Sequence, residues 1–233
     1  MENKGVSLNK FISNLGICSR READKLIEQG RVTLNGKRAQ RGNRVTPDDE
    51  VTVDGEVVGK RKRKKPIYIM FNKPVGVITT TDRRVSQNMI DFIGHEKRIF
   101  PVGRLDKDSS GLILLTNDGD IVNLILRKEF KKEKEYIVTV NRPVDKEFVQ
   151  SMSEGVEILG KKTRECEVER LGKYVFRIVL TQGLNRQIRR MCKELGYRVK
   201  TLHRTRIMHI HLGDLKPGRW RNLNAVEVKK LLE

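Results

Sequence analysis

A carboxylate set between basic side chains is the strongest chemical signal in this sequence. Asp106 lies two residues after Arg104 and directly before Lys107, in a glycine-bounded run that covers residues 103–111. A carboxylate that opposite charge keeps ionised can act as a covalent nucleophile in a site that excludes water. Composition alone would make Asp106 a surface residue in a turn, since aspartate is almost always exposed. A reactive role therefore depends on further motifs.

The same run permits a calcium-binding interpretation. Asp106, Asp108 and Ser110 fit ligand positions of an EF-hand loop, and Gly111 fits its invariant glycine. The twelfth position, which requires a bidentate glutamate, is Asn117. No pair of flanking amphipathic helices is evident. The sequence therefore disfavours a calcium site.

Two further segments carry a tyrosine and an arginine whose ordinary roles are structural. Tyr136 follows Lys134 and Glu135 at the start of a β-branched run, and Arg189 lies in the basic segment 182–191. A tyrosine at a strand start is ordinarily a core residue, and helical arginines are ordinarily solvated. A functional interpretation of Arg189 therefore depends on Asp106, and that of Tyr136 depends on a match to further motifs.

The elements that must position these residues predict an α+β fold. Residues 111–116 are apolar and fit either a strand or the start of a helix. Gly196 is a helix stop after 186–195. We expect a mixed, mainly antiparallel sheet domain over residues 67–233. The other predicted elements are strands at 67–71, 75–79, 136–140 and 174–181 and a helix at 226–232.

A smaller unit is predicted over residues 1–59. Within residues 7–18 the apolar side chains have helical spacing, and Gly16 is predicted to stop that helix. Ser19 with Glu22 forms a capping box that opens a second helix ending at Gly30. Strands are predicted at 31–34 and 50–53, with Asn-Gly and Asp-Gly turns after them. The basic residues that cluster near the two helix ends are Lys10, Arg20, Arg21, Lys25 and Arg31.

Charge indicates the kind of partner. The 233 residues contain 49 Lys and Arg against 30 Asp and Glu, a net charge of +19, which favours a polyanion. Six of the seven residues in the run 60–66 are basic, and the seventh is the closing Pro66. The run is predicted to be a solvated linker that can also contact phosphate. Three distant cysteines and the lack of an apolar run or leader exclude disulfide-rich, zinc-finger and membrane classes. We expect a cytoplasmic protein that binds nucleic acid.

Several of these motifs resemble known families. The segments 8–12, 18–23 and 30–36 resemble an S4 RNA-binding domain. Residues 103–106, 134–136 and 182–191 resemble, in order, three motifs of the RsuA/RluB/RluE/RluF family of pseudouridine synthases, and 73–76 and 202–204 match it as well. The run 103–111 and the block 204–208 are most similar to the RluF branch of that family.

The family resemblance implies a redox-neutral isomerisation of uridine to pseudouridine that needs no cofactor and no metal. It implies catalytic roles for Asp106 as nucleophile, Tyr136 against the uracil and Arg189 as the partner that keeps Asp106 ionised. Arg104 would fill the gap that the flipped nucleotide leaves. The remaining residues implied to contact RNA in the large domain are Leu105, Lys107, Arg186, Gln187 and Ile188.

The expected substrate is 23S ribosomal RNA or a ribosome assembly intermediate, with a transfer RNA left open as a second substrate. Nothing in the sequence requires more than a monomer. The sequence also leaves open whether Asp106 attacks the base or the sugar. Two other classes remain as alternatives: a non-catalytic RNA-binding assembly factor, and a DNA-binding regulator, for which no recognition helix is identifiable. The pair His209 and His211 is predicted to lie on one strand without binding metal.

Overall fold

The computed structural model describes residues 5–59, 65–126 and 132–233. By contacts the chain forms two compact units, Met1–Pro66 and Ile67–Glu233. Most of the predicted basic linker, residues 60–64, lies outside the described residues. No helix in the described part of the chain is long and apolar enough to cross a membrane.

The first unit packs two helices against short antiparallel strands. A four-stranded sheet has the order β3-β2-β5-β6, and β1 pairs with β4. Leu8, Ile12, Ala23 and Ile27 from the helices meet the sheet in one core. The elements are β1 Val6–Ser7, α1 Leu8–Asn14, α2 Arg20–Glu28, β2 Val32–Leu34, β3 Lys37–Arg38, β4 Arg44–Val45, β5 Val51–Val53 and β6 Glu56–Val58.

Local sequence chemistry explains this unit. The amide of Glu22 donates to Ser19 Oγ at 3.2 Å and the Ser19 amide donates to Glu22 Oε2 at 2.7 Å, so the predicted capping box is confirmed. Both residues of each predicted hairpin turn, 35–36 and 54–55, have positive φ, as type I′ turns require. Helix α1 ends at Asn14 with Leu15 as its C-cap, and Gly16 follows at φ +76°, so the predicted glycine stop is confirmed.

The second unit is built on a nine-stranded sheet with the path β13-β14-β10-β15-β9-β7-β17, to which β8 and β16 add at β9 and β15. All pairings are antiparallel except that of β15 with β9. The α+β fold class is therefore confirmed. The strands are β7 Tyr68–Lys73, β8 Phe100–Val102, β9 Ser110–Thr116, β10 Lys134–Val140, β13 Glu167–Gly172, β14 Val175–Leu180, β15 Val199–Ile207, β16 Ile210–His211 and β17 Trp220–Asn222.

Helices cover both faces of this sheet. Strand β9 shows why residues 111–116 are continuously apolar: Leu112 and Leu114 enter one core, and Ile113 and Leu115 enter the core on the opposite face. The segment is therefore a strand, which settles the ambiguity in the sequence. The remaining elements are α3 Met89–Ile93, α4 Gly119–Leu126, α5 Lys146–Glu154, α6 Gln187–Glu194, α7 Ala225–Leu232 and the hairpin β11 Glu157–Ile158 with β12 Lys161–Lys162.

Two local predictions are wrong. Residues 75–79 form a turn with one isolated bridge rather than a strand, because Gly76 adopts φ +95° and Pro74 has no amide to donate. The two histidines do not share a strand. Met208, at φ +53°, ends β15 in a tight turn, and His209 in that turn hydrogen bonds to the carbonyl of Glu227.

Candidate active site

The loop that carries Asp106 connects β8 to β9, and hydrogen bonds from the segment 76–79 hold it in place. Thr79 Oγ1 donates to the carbonyl of Leu105 at 2.8 Å, and the Gly76 amide donates to the carbonyl of Lys107 at 2.8 Å. Leu105 is buried, whereas the Asp106 side chain is 37% exposed. Since the run lies between two strands rather than two helices, it lacks the helix–loop–helix form of an EF-hand. The loop presents the Asp106 carboxylate rigidly.

Two arginines at the start of α6 face this loop. Arg186 Nη1 lies 3.4 Å from Asp106 Oδ2, and Arg189 Nε lies 4.0 Å from the same atom. Arg186 also bonds both carboxylate oxygens of Asp108 at 3.3 and 3.2 Å. Arg189 Nη2 donates to the Asp108 carbonyl at 2.9 Å and to Ser109 Oγ at 3.1 Å. Both carboxylates therefore lie in a positive field.

The two arginines change the pKa of Asp108. Burial alone would raise the pKa of its carboxyl, but the hydrogen bond from Arg186 and the charges of Arg189 and Arg186 outweigh burial and lower it. The sequence predicted Arg189 as the partner of Asp106. The structure places Arg186, which was assigned only to the RNA path, nearer to that carboxylate.

The backbone conformation at the N-terminus of α6 orients these arginines. Arg186 is the N-cap and adopts φ +48°, a left-handed conformation that is rare for a residue with a side chain. Gln187 Oε1 accepts from the amide of Leu184 at 3.0 Å and closes the turn. Ile188 and Met191 bury the opposite face of the helix in the core. Arg189 is consequently directed toward the Asp106 loop, with its side chain 12% exposed.

A cavity of about 520 Å³ opens above Asp106. Tyr136, on β10, is paired in register with Arg204 of β15, whose guanidinium carbon lies 6.0 Å from the tyrosine ring centre. Lys107 does not line the cavity; its side chain is exposed. The predicted site residues that do line it are Arg104, Leu105, Asp106, Tyr136, Arg186, Gln187, Ile188 and Arg189. The structure thus joins the three separated motifs at one concave surface.

The predicted RNA-contacting residues of the first unit differ in availability. Arg20, Arg21 and Lys25 are exposed along α2. Arg31 instead donates two hydrogen bonds to the Asp54 carboxylate, at 2.6 and 2.7 Å, and these bonds raise the pKa of Arg31. Lys10 is half-buried on α1. Arg20 and Arg21, at the exposed start of α2, are the best placed of the five to meet phosphate.

Lys73 was missed as a site residue, although the motif 73–76 matched the family. It is fully buried, and its ammonium donates to the carbonyls of Pro74 at 2.9 Å and Val77 at 2.8 Å, with the Lys107 carbonyl at 3.5 Å. Burial lowers the pKa of Lys73 to about 8, against the opposing effect of the Asp108 and Asp106 charges. Lys73 therefore supports the Asp106 loop from inside the protein.

Comparisons with known proteins agree with these observations. Residues 67–194 match the family described as RNA pseudouridylate synthase, and residues 6–51 match the S4 domain. The chain is 52% identical over 236 residues to the dual-specificity RNA pseudouridine synthase RluF of Escherichia coli K12, covering all of this chain and 81% of that protein. It is 34% identical to the ribosomal large subunit pseudouridine synthase B of Bacillus subtilis 168, covering 96% and 94%.

One solved structure shares the whole fold. A crystal structure titled as a pseudouridylate synthase superposes with a TM-score of 0.71 at 30% sequence identity, over 97% of this chain and all of the other. The similarity extends over both units of the chain in order, so it is not confined to the cavity motifs.

Proposed function

The chain belongs to the RNA pseudouridylate synthase family, with an S4 domain before the synthase domain, and on that premise we propose that it isomerises a uridine of large-subunit ribosomal RNA with Asp106 as its nucleophile. In the reaction the bond from the ribose carbon to N1 breaks and a bond from the same carbon to C5 forms. The proton leaves C5, and N1 gains one, so atoms and electrons balance without a co-reactant.

The observation that carries the proposal is that Asp106 lines the cavity with its carboxylate facing Arg186 and Arg189. A nucleophilic carboxylate must stay ionised, and adjacent guanidinium groups favour the ionised form. The requirement is the same whether the carboxylate attacks the base or stabilises the separated sugar. Asp106 is therefore assigned the covalent or charge-stabilising role.

The roles that we propose for the other residues follow from their positions relative to Asp106. Tyr136 presents its ring to the same cavity, where it stacks on uracil and its hydroxyl assists removal of the C5 proton. Arg104 is exposed at the rim, where it can occupy the space that a flipped nucleotide vacates in the RNA helix. Gln187, Ile188 and Leu105 line the nucleotide path, and Lys107 contacts RNA outside the cavity.

Two relatives support the choice of RNA. The Bacillus subtilis protein is named for the ribosomal large subunit, and the Escherichia coli protein is named as dual-specificity. We propose large-subunit 23S ribosomal RNA, free or in an assembly intermediate, as the substrate, with a transfer RNA as the second. The S4 domain adds RNA affinity through exposed Arg20, Arg21 and Lys25, with Lys10 and Arg31 beside them. The enzyme acts in the cytoplasm as a monomer.

Pseudouridine mapping tests the substrate. Carbodiimide adducts and primer extension are read on total RNA from cells that carry the intact gene, no gene, or the gene with Asp106→Asn. We expect one large-subunit stop that disappears without the gene and returns with the parent but not with Asp106→Asn. An unchanged ribosomal map would rule out the ribosomal substrate, and transfer RNA from the same cells would then show whether the second substrate is modified.

A further inference from the structure

Arg204 and Lys134 are a buried and a half-buried cation in the lining of the cavity, and neither is paired with a carboxylate among the described residues. Arg204 is 3% exposed, and its Nε donates to the carbonyl of Leu112 at 2.6 Å. Its Nη2 is buried and has no hydrogen-bond acceptor among the described residues. Within residues 5–59, 65–126 and 132–233, the Lys134 ammonium donates to the carbonyl of Lys132 at 3.1 Å and to no carboxylate. Neither forms an ion pair with any carboxylate that the structure describes.

The two charges are close enough to disfavour one another. Burial lowers the pKa of Lys134, and the positive charge of Arg204 lowers it further. Arg204 acts in the same direction on Lys73. A buried, unpaired charge is costly, and a guanidinium with a free edge is the side chain best suited to fork onto phosphate oxygens. In the part of the chain that the structure describes, these two cations therefore have no anionic partner.

We propose that Arg204 and Lys134 form a phosphate site within the cavity, which binds a phosphate of the nucleotide whose base lies against Tyr136. The proposal rests on the assignment of this cavity to the target uridine. Lys134 and Tyr136 alternate with one residue between them on β10, so both project from the same face of the sheet. The guanidinium carbon of Arg204 is 6.0 Å from the Tyr136 ring centre, so one nucleotide can reach both groups.

A purely structural role for Arg204 accounts for only part of its geometry. The bond from Nε to Leu112 joins β15 to β9 where these strands pair over only two residues. That bond leaves Nη2 without an acceptor among the described residues and does not explain the second cation at Lys134. A neutral acceptor, such as a uracil carbonyl, would satisfy one N–H group but not the two positive charges. An anion satisfies both.

The test compares ligands that differ only in a phosphate. Equilibrium binding of uridine, uridine 5′-monophosphate and uridine 3′-monophosphate to the full chain is measured near pH 7. Because a hydrogen bond to a charged group is stronger than one to a neutral group, we expect one monophosphate to bind about 10-fold or more tightly than uridine. The preferred isomer identifies the phosphate. The preference should weaken as pH rises and Lys134 loses its proton.

Three variants and a control complete the experiment. Arg204→Gln and Lys134→Met should each bring the monophosphate close to uridine in affinity, within about 2-fold, while uridine binding is unchanged. Arg204→Lys should restore part of the preference. Lys200→Met removes the same charge from an exposed position on the same strand and should leave the preference intact. Lys134 is only half-buried, so Lys134→Met keeps the test open if Arg204→Gln does not fold.

Equal affinity of the parent for uridine and both monophosphates would overturn the phosphate site. So would a preference that survives in Arg204→Gln and Lys134→Met. Nucleotide binding requires no particular RNA, so the outcome is separate from the substrate proposal. A ribosomal map that does not change, together with a phosphate preference that depends on Lys134, would reject the ribosomal substrate and retain the phosphate site.

Discussion

Lys73 makes the stability of the synthase unit depend on pH in an unusual direction. Its side chain is fully buried, and its pKa is about 8 in the folded protein against 10.5 for an unburied lysine. The unfolded chain therefore binds more protons than the folded chain between these two values, and stability rises with pH across that window. Between pH 8 and pH 10 the difference in lysine protonation contributes about 2 kcal/mol to the free energy of unfolding.

The assay compares the parent with Lys73→Met in urea at pH 8, 9 and 10. Trp220 is the only tryptophan in the chain and lies on β17 beside β7, so its fluorescence reports the unit that contains Lys73. All other titrating groups are common to both proteins, so the parent should gain about 2 kcal/mol relative to the variant over this range. Lys200→Met, at an exposed position, serves as the control. A parent-minus-variant difference that is flat or falls with pH would refute the reasoning.

Three further predictions concern the backbone and the first unit. Gly111→Ala places a Cβ 2.3 Å from a carbonyl oxygen of β15, at a residue whose φ is +105°. The variant should lower the free energy of unfolding by about 3 kcal/mol or more. The control Gly183→Ala, where no atom lies within 4 Å of the new Cβ, should change that free energy by less than about 1 kcal/mol. Urea titrations of both variants decide this. Ser19→Ala removes the capping-box acceptor and should cost about 1 kcal/mol in thermal unfolding of the first unit; no change would discount the cap. Arg20→Ala with Arg21→Ala should reduce the slope of log affinity for RNA against log salt by about 1.5, and an unchanged slope would show that neither contacts phosphate.

Local patterns in the sequence predicted local structure well. The capping box at Ser19 and the two Asn-Gly and Asp-Gly turns were identified from sequence because they depend on residues within three positions of one another. The strand predicted at 75–79 is wrong partly for a local reason, since Pro74 and Gly76 favour a turn and the Lys73 ammonium binds the Val77 carbonyl four residues away. The hydrogen bond from Thr79 to Leu105, 26 residues away, also holds this segment, and no local pattern in the sequence reveals it.

In the candidate active site as well, the sequence predicted the residues but not the contacts between distant segments. Asp106, Tyr136 and Arg189 were identified from separated motifs, and the fold brings all three to one cavity. The sequence did not reveal the contact of Arg186 with Asp106, because that contact depends on a left-handed backbone at the helix entrance. The pairing of Tyr136 with Arg204 depends on the register between β10 and β15, which no single segment specifies.

The central claim, that Asp106 performs the chemistry, is tested most directly by release of tritium from C5. Large-subunit RNA transcripts that carry [5-³H]uridine are incubated with the parent, Asp106→Asn or Asp108→Asn. Asp108 is the matched control because it is paired with the same arginines, yet it does not line the cavity.

We expect Asp106→Asn to fold and bind RNA like the parent but to lower tritium release by about 10⁴-fold or more, as loss of a nucleophile does. Asp108→Asn removes a half-exposed ion pair and should lower release by less than about 10-fold. Tritium release by Asp106→Asn within about 10-fold of the parent would contradict the account, since the carboxylate would then be dispensable for the reaction.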